Sequence, residues 1–339
     1  MVSGHGLSAL TKDEIRQAEG YGFSAWDLSE CPENAQVETG LPKVLRAWGK
    51  TDAGKVEDPL MDALRLGQIG QTTLSPSAQV VLHGSDAAKA GANPVQELAA
   101  VLCAAEVCKA QLGTEAFKSA AENWTLQLSA GTSFWLELAK FRAMRLLWMH
   151  FLNENGIIGQ IGNIRAETGT LTWSHTDPDT NLLRHTSSVL SALMGGADEV
   201  LIHPHRMDEP LDGVRLAVNI GLLALEEAHL DRAFDPAHGS YFVEMLTHEL
   251  ATAAWKKYKT WNAEPKGDLS SFLRTGLMQS EIQRQGEQTL EHFASKKRVQ
   301  LGVNTFPSEL SRPGKRFALV PPSSSSSDFP ALKPVFADA

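Results

Sequence analysis

Only three cysteines occur in the 339 residues, Cys31, Cys103 and Cys108. They form no CxxC pair and no zinc-type spacing, which excludes a disulfide-stapled framework and a structural zinc site built on thiolates. Two of them lie in an Ala-rich helical stretch, so they read as buried, reduced thiols of a cytoplasmic protein. No apolar run reaches the roughly 18 residues of a membrane span. Residues 1–14 lack the charged start and apolar core of a secretory signal, and the Arg-rich character of a transit peptide. Cationic charge is scarce as well: 31 Lys and Arg against 40 Asp and Glu leave a net charge of −9. Lys256-Lys257 and Lys296-Lys297-Arg298 are short clusters, read as solvated faces, so neither nucleic acid nor an anionic membrane is an expected partner. No GxSxG elbow is present, and His175 near Asp177 and Ser174 reads as a polar loop rather than a triad.

What is present suits a globular α/β chain. The apolar fraction of 42% is ordinary, and the length accommodates an α/β barrel of about 250 residues. The centre is Gly131 to Lys257. Phe134, Leu138, Phe141, Arg145 and Trp148 recur at helical spacing, and Leu136, Ala139, Met144, Leu146 and Leu147 fill much of the remainder. This predicts a helix buried on most sides. Three strand–helix units follow: Ile161 to Ala166 with Asn181 to Met194, Glu199 to His203 with Gly213 to Glu227, and Ala233-Phe234 with Tyr241 to Lys259. Such alternation marks a parallel sheet or barrel. Gly195-Gly196 fits a helix C-cap. Trp135, Trp148, Trp173 and Trp255 sit in apolar contexts and read as core.

Around this centre, residues up to Gly20 read as a polar helix capped by Thr11, Phe23 to Leu28 as a strand, and Asp58-Pro59-Leu60 as the start of an amphipathic helix. Gln79 to His83 reads as a buried strand, Pro94 to Leu112 as a helix with Pro in its first turn, and Ala116 to Leu128 as another helix. Ser270 to Ala294 reads as a polar helix and Val299 to Val303 as a strand. The Pro- and Ser-rich end reads as linker or disorder. The expected organisation is an N-terminal segment packing on the barrel (1–75), an α/β barrel domain (76–306) and a tail (307–339). Six strand candidates, starting at Phe23, Gln79, Ile161, Glu199, Ala233 and Val299, fall short of the eight of a closed barrel, so an incomplete or degenerate barrel is expected.

Several of these residues carry a resemblance. Phe134, Glu137, Ala139, Lys140, Arg142, Ala143, Arg145 and Trp148, then Asn181-Leu182-Leu183-Arg184, Gly195-Gly196-Ala197, Asp208-Glu209 and Asn219, follow in a characteristic order. So do Asp235-Pro236-Ala237-His238-Gly239-Ser240-Tyr241, Glu244, Leu246-Thr247, Leu250, Ala254 and Trp255. Together they resemble the barrel domain of the methylmalonyl-CoA mutase family, above all the small, non-catalytic subunit of two-subunit bacterial enzymes, in shortened form. The resemblance implies a (β/α)8 TIM-type barrel with an extra N-terminal helical segment.

The same comparison exposes departures where chemistry belongs. Catalytic chains of the family read Tyr-His-Met-Gln-Glu-Ala-Gly-Ala after an early strand, and that His polarises the acyl carbonyl. Here Ala90-Gly91-Ala92 keeps the end of the motif, while Ser85 and Asp86 stand at the Tyr and His. An ionised carboxylate repels an oxygen gaining negative charge. Asp86 is therefore expected to be non-catalytic, a loop carboxylate capping the next helix, and His83 reads as a strand residue. Arg165 to Ser174 keeps the Arg and the Trp-Ser of a substrate-contacting loop but little of the polar set between. Gly221 stands where the family places a substrate-contacting Gln. Vestigial substrate contacts fall on Arg165, Thr168, His203 and Asn219. Arg165 suits a CoA phosphate, although a structural salt bridge is the simpler role. The Asp-x-His-x-x-Gly motif that ligates cobalt is not found, and Asp235 to Gly239 has the wrong spacing.

The resemblance thus implies a chain with no catalytic residue and no cofactor or metal of its own. Adenosylcobalamin belongs to a large catalytic subunit, the partner in a heterodimer that interconverts methylmalonyl-CoA and succinyl-CoA by a radical route. Two alternatives stay open. The chain could be catalytic toward an acyl-CoA, with a cobalamin domain supplied in trans. It could also be a metal-dependent hydrolase in which His203 and His205 bind zinc, with Asp208, Asp235 and His238 in reach.

Overall fold

The computed structural model describes residues 81–307 apart from 122–123, 159–161, 170, 175, 207–209 and 264–275. The expected N-terminal helix, the strand from Phe23, the Asp58-Pro59-Leu60 helix and the Ser-rich tail lie outside these residues.

Four short strands form one parallel sheet: β1 (Val81–His83), β2 (Thr125–Ala130), β3 (Asn163–Thr168) and β4 (Glu199–Leu201), ordered β1-β2-β3-β4. Parallel neighbours need crossover connections, and helices supply them. Between β1 and β2 come α1 (Gly84–Lys89), α2 (Pro94–Leu112) and α3 (Thr114–Ala120). Next, α4 (Phe134–Glu154) leads to β3 and α5 (Asp179–Met194) to β4. Beyond β4 lie α6 (Pro210–Leu222), continued by a π turn (Leu223–Glu227), then α7 (Tyr241–Ala263) and α8 (Leu277–Ala294). Among the described residues no helix is long and apolar enough to cross a membrane.

Register explains how the sheet is layered. Leu82, Leu126 and Ile164 align across three strands, as do Leu128, Ala166 and Val200. This face joins Leu98 and Leu102 of α2, Phe141, Met144, Trp148 and Phe151 of α4, Tyr258 and Trp261 of α7, and Ile282 of α8 in the main core. Trp148 stacks on Trp124 and Phe151, with ring centroids 6.2 and 5.5 Å apart. The opposite face carries His83, Gln127, Arg165 and Glu199 in one row and Ser129, Glu167 and Leu201 in the next.

Three sequence expectations are corrected. The helix expected to run to Leu128 stops at Ala120, and Thr125–Ala130 is a strand. Its Thr-Leu-Gln-Leu-Ser-Ala alternation has period two, sending Leu126 and Leu128 to the core and Gln127 to the other face. Ala233-Phe234 is not a strand: it follows a 3-10 turn (Leu230–Arg232), and Phe234 is 97% exposed. Val299 to Val303 forms only an isolated bridge between Leu301 and Thr305. The α4 helix is buried on most sides, as its sequence predicts, with one exposed strip. Trp135, Leu146 and Met149 are exposed, while Leu138, Phe141, Met144, Trp148 and Phe151 are buried.

The residues that carry the family resemblance are clamps. Arg142 of α4 reaches Asp235 and Glu244, each at 2.8 Å, and Glu244 also accepts the Gly239 N–H. Arg145 bonds Asp198 (2.9 Å) and the Gly196 carbonyl (2.5 Å). Asn181 donates to the carbonyls of Ser174 and His205, and so joins the turns after β3 and β4. After α5, Gly196 takes φ +85°, with Ala197 N–H on Ala192 O and Gly196 N–H on Leu193 O. These are the two bonds of a Schellman cap.

The neighbouring Gly195 lets α5 approach α4, since a Cβ there would lie 2.7 Å from the Leu138 carbonyl. Gly195→Ala should therefore destabilise the fold by about 1–3 kcal/mol, an overpacking cost. Urea unfolding measures it, and an unchanged midpoint would refute this contact.

Candidate functional site

Chemistry-bearing side chains gather where the four strands end. β1 passes directly into α1, so Ser85, Asp86 and Lys89 occupy a short helix rather than the expected loop. Gly84 at this junction is close-packed: a Cβ would meet Val101 Cγ2 at 2.5 Å and Leu128 at 3.1 Å. Asp86 does not cap α2. Asn93 does so, in a reciprocal capping box with Gln96. The Asp86 Oδ1 instead pairs with Lys89 one turn on, at 3.2 Å, and Oδ2 is buried without a hydrogen-bond partner.

Lys89 reaches across to Glu167 at the end of β3, 2.8 Å away. The same carboxyl oxygen lies 2.8 Å from Nε2 of His203, beyond the end of β4. The other oxygen accepts from Gln127 of β2 at 3.0 Å, and Gln127 also contacts the Ser85 hydroxyl at 3.3 Å. One carboxylate thus gathers side chains from all four strand ends. Burial opposes its charge, yet Lys89 and His203 hold the Glu167 carboxyl well below the usual carboxylate range. Burial likewise opposes the charge on Lys89, but Glu167 and Asp86 raise it above an ordinary lysine. Burial, with the nearby charges of His203 and His205, lowers His185 to about 3, so it stays neutral.

Of the expected contact residues, Thr168 and His203 come together: the Thr168 hydroxyl accepts the His203 N–H at 2.9 Å. Arg165 lies on the same sheet face but pairs with Glu199 at 2.7 Å, the structural salt bridge. Asn219 is exposed on α6 and joins none of this. His83 is a strand residue, in register with Gln127. His203 and His205 do not converge: the first binds Glu167, while the second lies 3.8 Å from Asp179. Among the described residues no group of three or more His, Cys, Asp or Glu is placed to hold a metal ion. His238 is exposed beside Glu244 and Asp235, and Asp208 and His175 lie outside the described residues. The aromatic readings divide: Trp148 is core, Trp173 and Trp255 are half-buried, and Trp135 is exposed.

Sequence reasoning missed Lys89 and Gln127 altogether, and named Glu167 only within its loop. The available signal was a charged residue at each of two strand ends, which rarely stays buried unpaired. Chemically the arrangement is self-contained. Lys89 is shared between the carboxylates of Asp86 and Glu167, and Glu167 is further held by Gln127 and His203.

Similarity to known proteins bears on origin. The methylmalonyl-CoA mutase family profile matches residues 67–328. A methylmalonyl-CoA mutase small subunit of Porphyromonas gingivalis is 26% identical over 303 residues, covering 86% of this chain and 47% of that protein. One from Streptomyces virginiae is 34% identical over 237 residues, covering 67% and 38%. A probable small subunit of Mycobacterium bovis is 33% identical over 235 residues, covering 64% and 36%. The chain therefore spans roughly a third to a half of the length of these curated relatives.

Lys89→Met strands Glu167 in a buried position and should cost about 3–5 kcal/mol of stability, whereas adding Glu167→Gln should recover much of it. Chemical denaturation of the single and double variants measures both steps. Equal losses in the two would show that the ion pair does not organise the strand ends.

Proposed function

The chain belongs to the methylmalonyl-CoA mutase family, and on that premise we propose that it is the non-catalytic partner subunit of an adenosylcobalamin-dependent mutase. The observation that carries the reading is Asp86. It stands where catalytic members resemble one another in having a carbonyl-polarising His, and it is tied to Lys89 and, through it, to Glu167. The chain pairs with a large catalytic subunit as a heterodimer in the cytoplasm. The complex, not this chain, interconverts methylmalonyl-CoA and succinyl-CoA. The four parallel strands fit an incomplete or degenerate barrel of the (β/α)8 type. Similarity to proteins named as small subunits of the mutase supports this role.

Adenosylcobalamin is assigned to the partner. The buried imidazoles at the strand ends do not fit a cobalt ligand, because His203 is turned to Glu167 and His185 lies buried against the His203 backbone. No step of the reaction is routed through this chain. Its own residues hold the charges at the strand ends against one another.

One observation favours a second reading, a catalytic acyl-CoA chain served by a cobalamin domain in trans. His203 brings an imidazole into the same cluster as Asp86, from a different strand.

Co-expression with a large subunit, sizing and a succinyl-CoA assay separate the readings. We expect a one-to-one complex, no turnover by the isolated chain with adenosylcobalamin, and less than about a threefold change in kcat of the complex on His203→Asn. Turnover by the chain with only a cobalamin domain added, lost on His203→Asn, would establish the catalytic reading instead.

A further inference from the structure

A second charged cluster lies on the helix side of the sheet, and the proposed function makes no use of it. Glu97 of α2 and Glu137 and Lys140 of α4 meet beside the end of β2. The Lys140 ammonium is 2.8 Å from Glu97, 2.7 Å from Glu137 and 2.5 Å from the Ser129 carbonyl, and its side chain is 2% exposed. The second oxygen of Glu97 accepts the Ser129 N–H at 2.6 Å. Glu137 presses on Gly131, where a Cβ would lie 2.8 Å from its carboxyl oxygen. Ser188 of α5 donates to the Gly131 carbonyl at 2.8 Å. From the segment after α8, Arg298 is a further cation that feels Glu137.

Two buried carboxylates therefore share one buried ammonium. Fully ionised, the three carry a net negative charge inside the protein, which is costly in a medium of low polarity. A carboxyl proton removes that charge. Burial raises Glu97 to about 7, against the pull of Lys140, and the charge of Glu137 adds to the rise.

We propose that Glu97 takes up one proton in this cluster, and that releasing the proton changes how its carboxyl holds the Ser129 N–H at the start of the turn from Ser129 to Ser133. Ser129 is in register with Glu167, so the turn borders the strand-end cluster. The group is protonated at higher pH in the folded than in the unfolded chain. Its stabilisation is complete below the ordinary carboxylate value of 4.5 and is lost as pH rises through about 7.

The test follows the Ser129 amide resonance of the full chain from about pH 5.5 to 8.5, with Glu97→Gln and Glu137→Gln alongside. We expect a one-proton titration near neutrality in the unaltered chain. It should vanish in Glu97→Gln and move down by about one unit or more in Glu137→Gln, where one carboxylate keeps the whole ammonium. Over the same range the folding equilibrium constant should fall by up to about tenfold per pH unit relative to Glu97→Gln. A flat resonance in the unaltered chain overturns the proposal without recourse to a variant. So does a titration that both variants leave in place.

Discussion

Glu167 ends β3 with 4% of its side chain exposed, and Lys89, Gln127 and His203 all turn toward it. A carboxylate so placed cannot stay ionised unless cations and donors surround it. This requirement sets the local architecture. It draws α1 tightly onto β1, orients Gln127 across the sheet and fixes the His203 ring beyond β4. The same rule acts one layer away, where Glu97 and Glu137 share Lys140, and along the strands, where Arg165 meets Glu199. The sheet has one face of hydrocarbon and one of paired charge, and the helices lie on the hydrocarbon.

That division separates two kinds of information. Arg142, Arg145, Asn181, Gly195, Asp235 and Glu244 identify the family, and each of them clamps one element to another. Such residues transmit a fold. They say little about turnover, because a clamp serves an active and an inactive barrel equally. Activity depends on the strand ends, where an acid stands at position 86 with a lysine one turn later.

Long periodic segments were legible in the sequence. The helices at Pro94–Leu112, Phe134–Glu154, Asp179–Met194 and Tyr241–Ala263 follow from apolar spacing over many turns, and the Schellman cap after Met194 follows from two glycines. Short elements were not. Thr125–Ala130 follows a helix rich in alanine, and six residues of alternation were outweighed by the pattern before them. Ala233-Phe234 and Val299 to Val303 have strand-like side chains, but the backbone there found turns and a single bridge instead. β-propensity reflects fit to a neighbouring strand more than an intrinsic backbone preference.

By itself the sequence determined the alternating α/β plan, the family and the carboxylate at position 86, because these depend on residue type and on spacing along one stretch of chain. Tertiary structure alone decided that Asp86 lies in a helix against Lys89, that Glu167 gathers four strand ends, and that the neighbouring imidazoles His203 and His205 serve different carboxylates. Those outcomes depend on which charges come within about 3–4 Å of one another after folding, where their interaction is strong. Pairing across tens of residues leaves no periodic trace in the order of the chain.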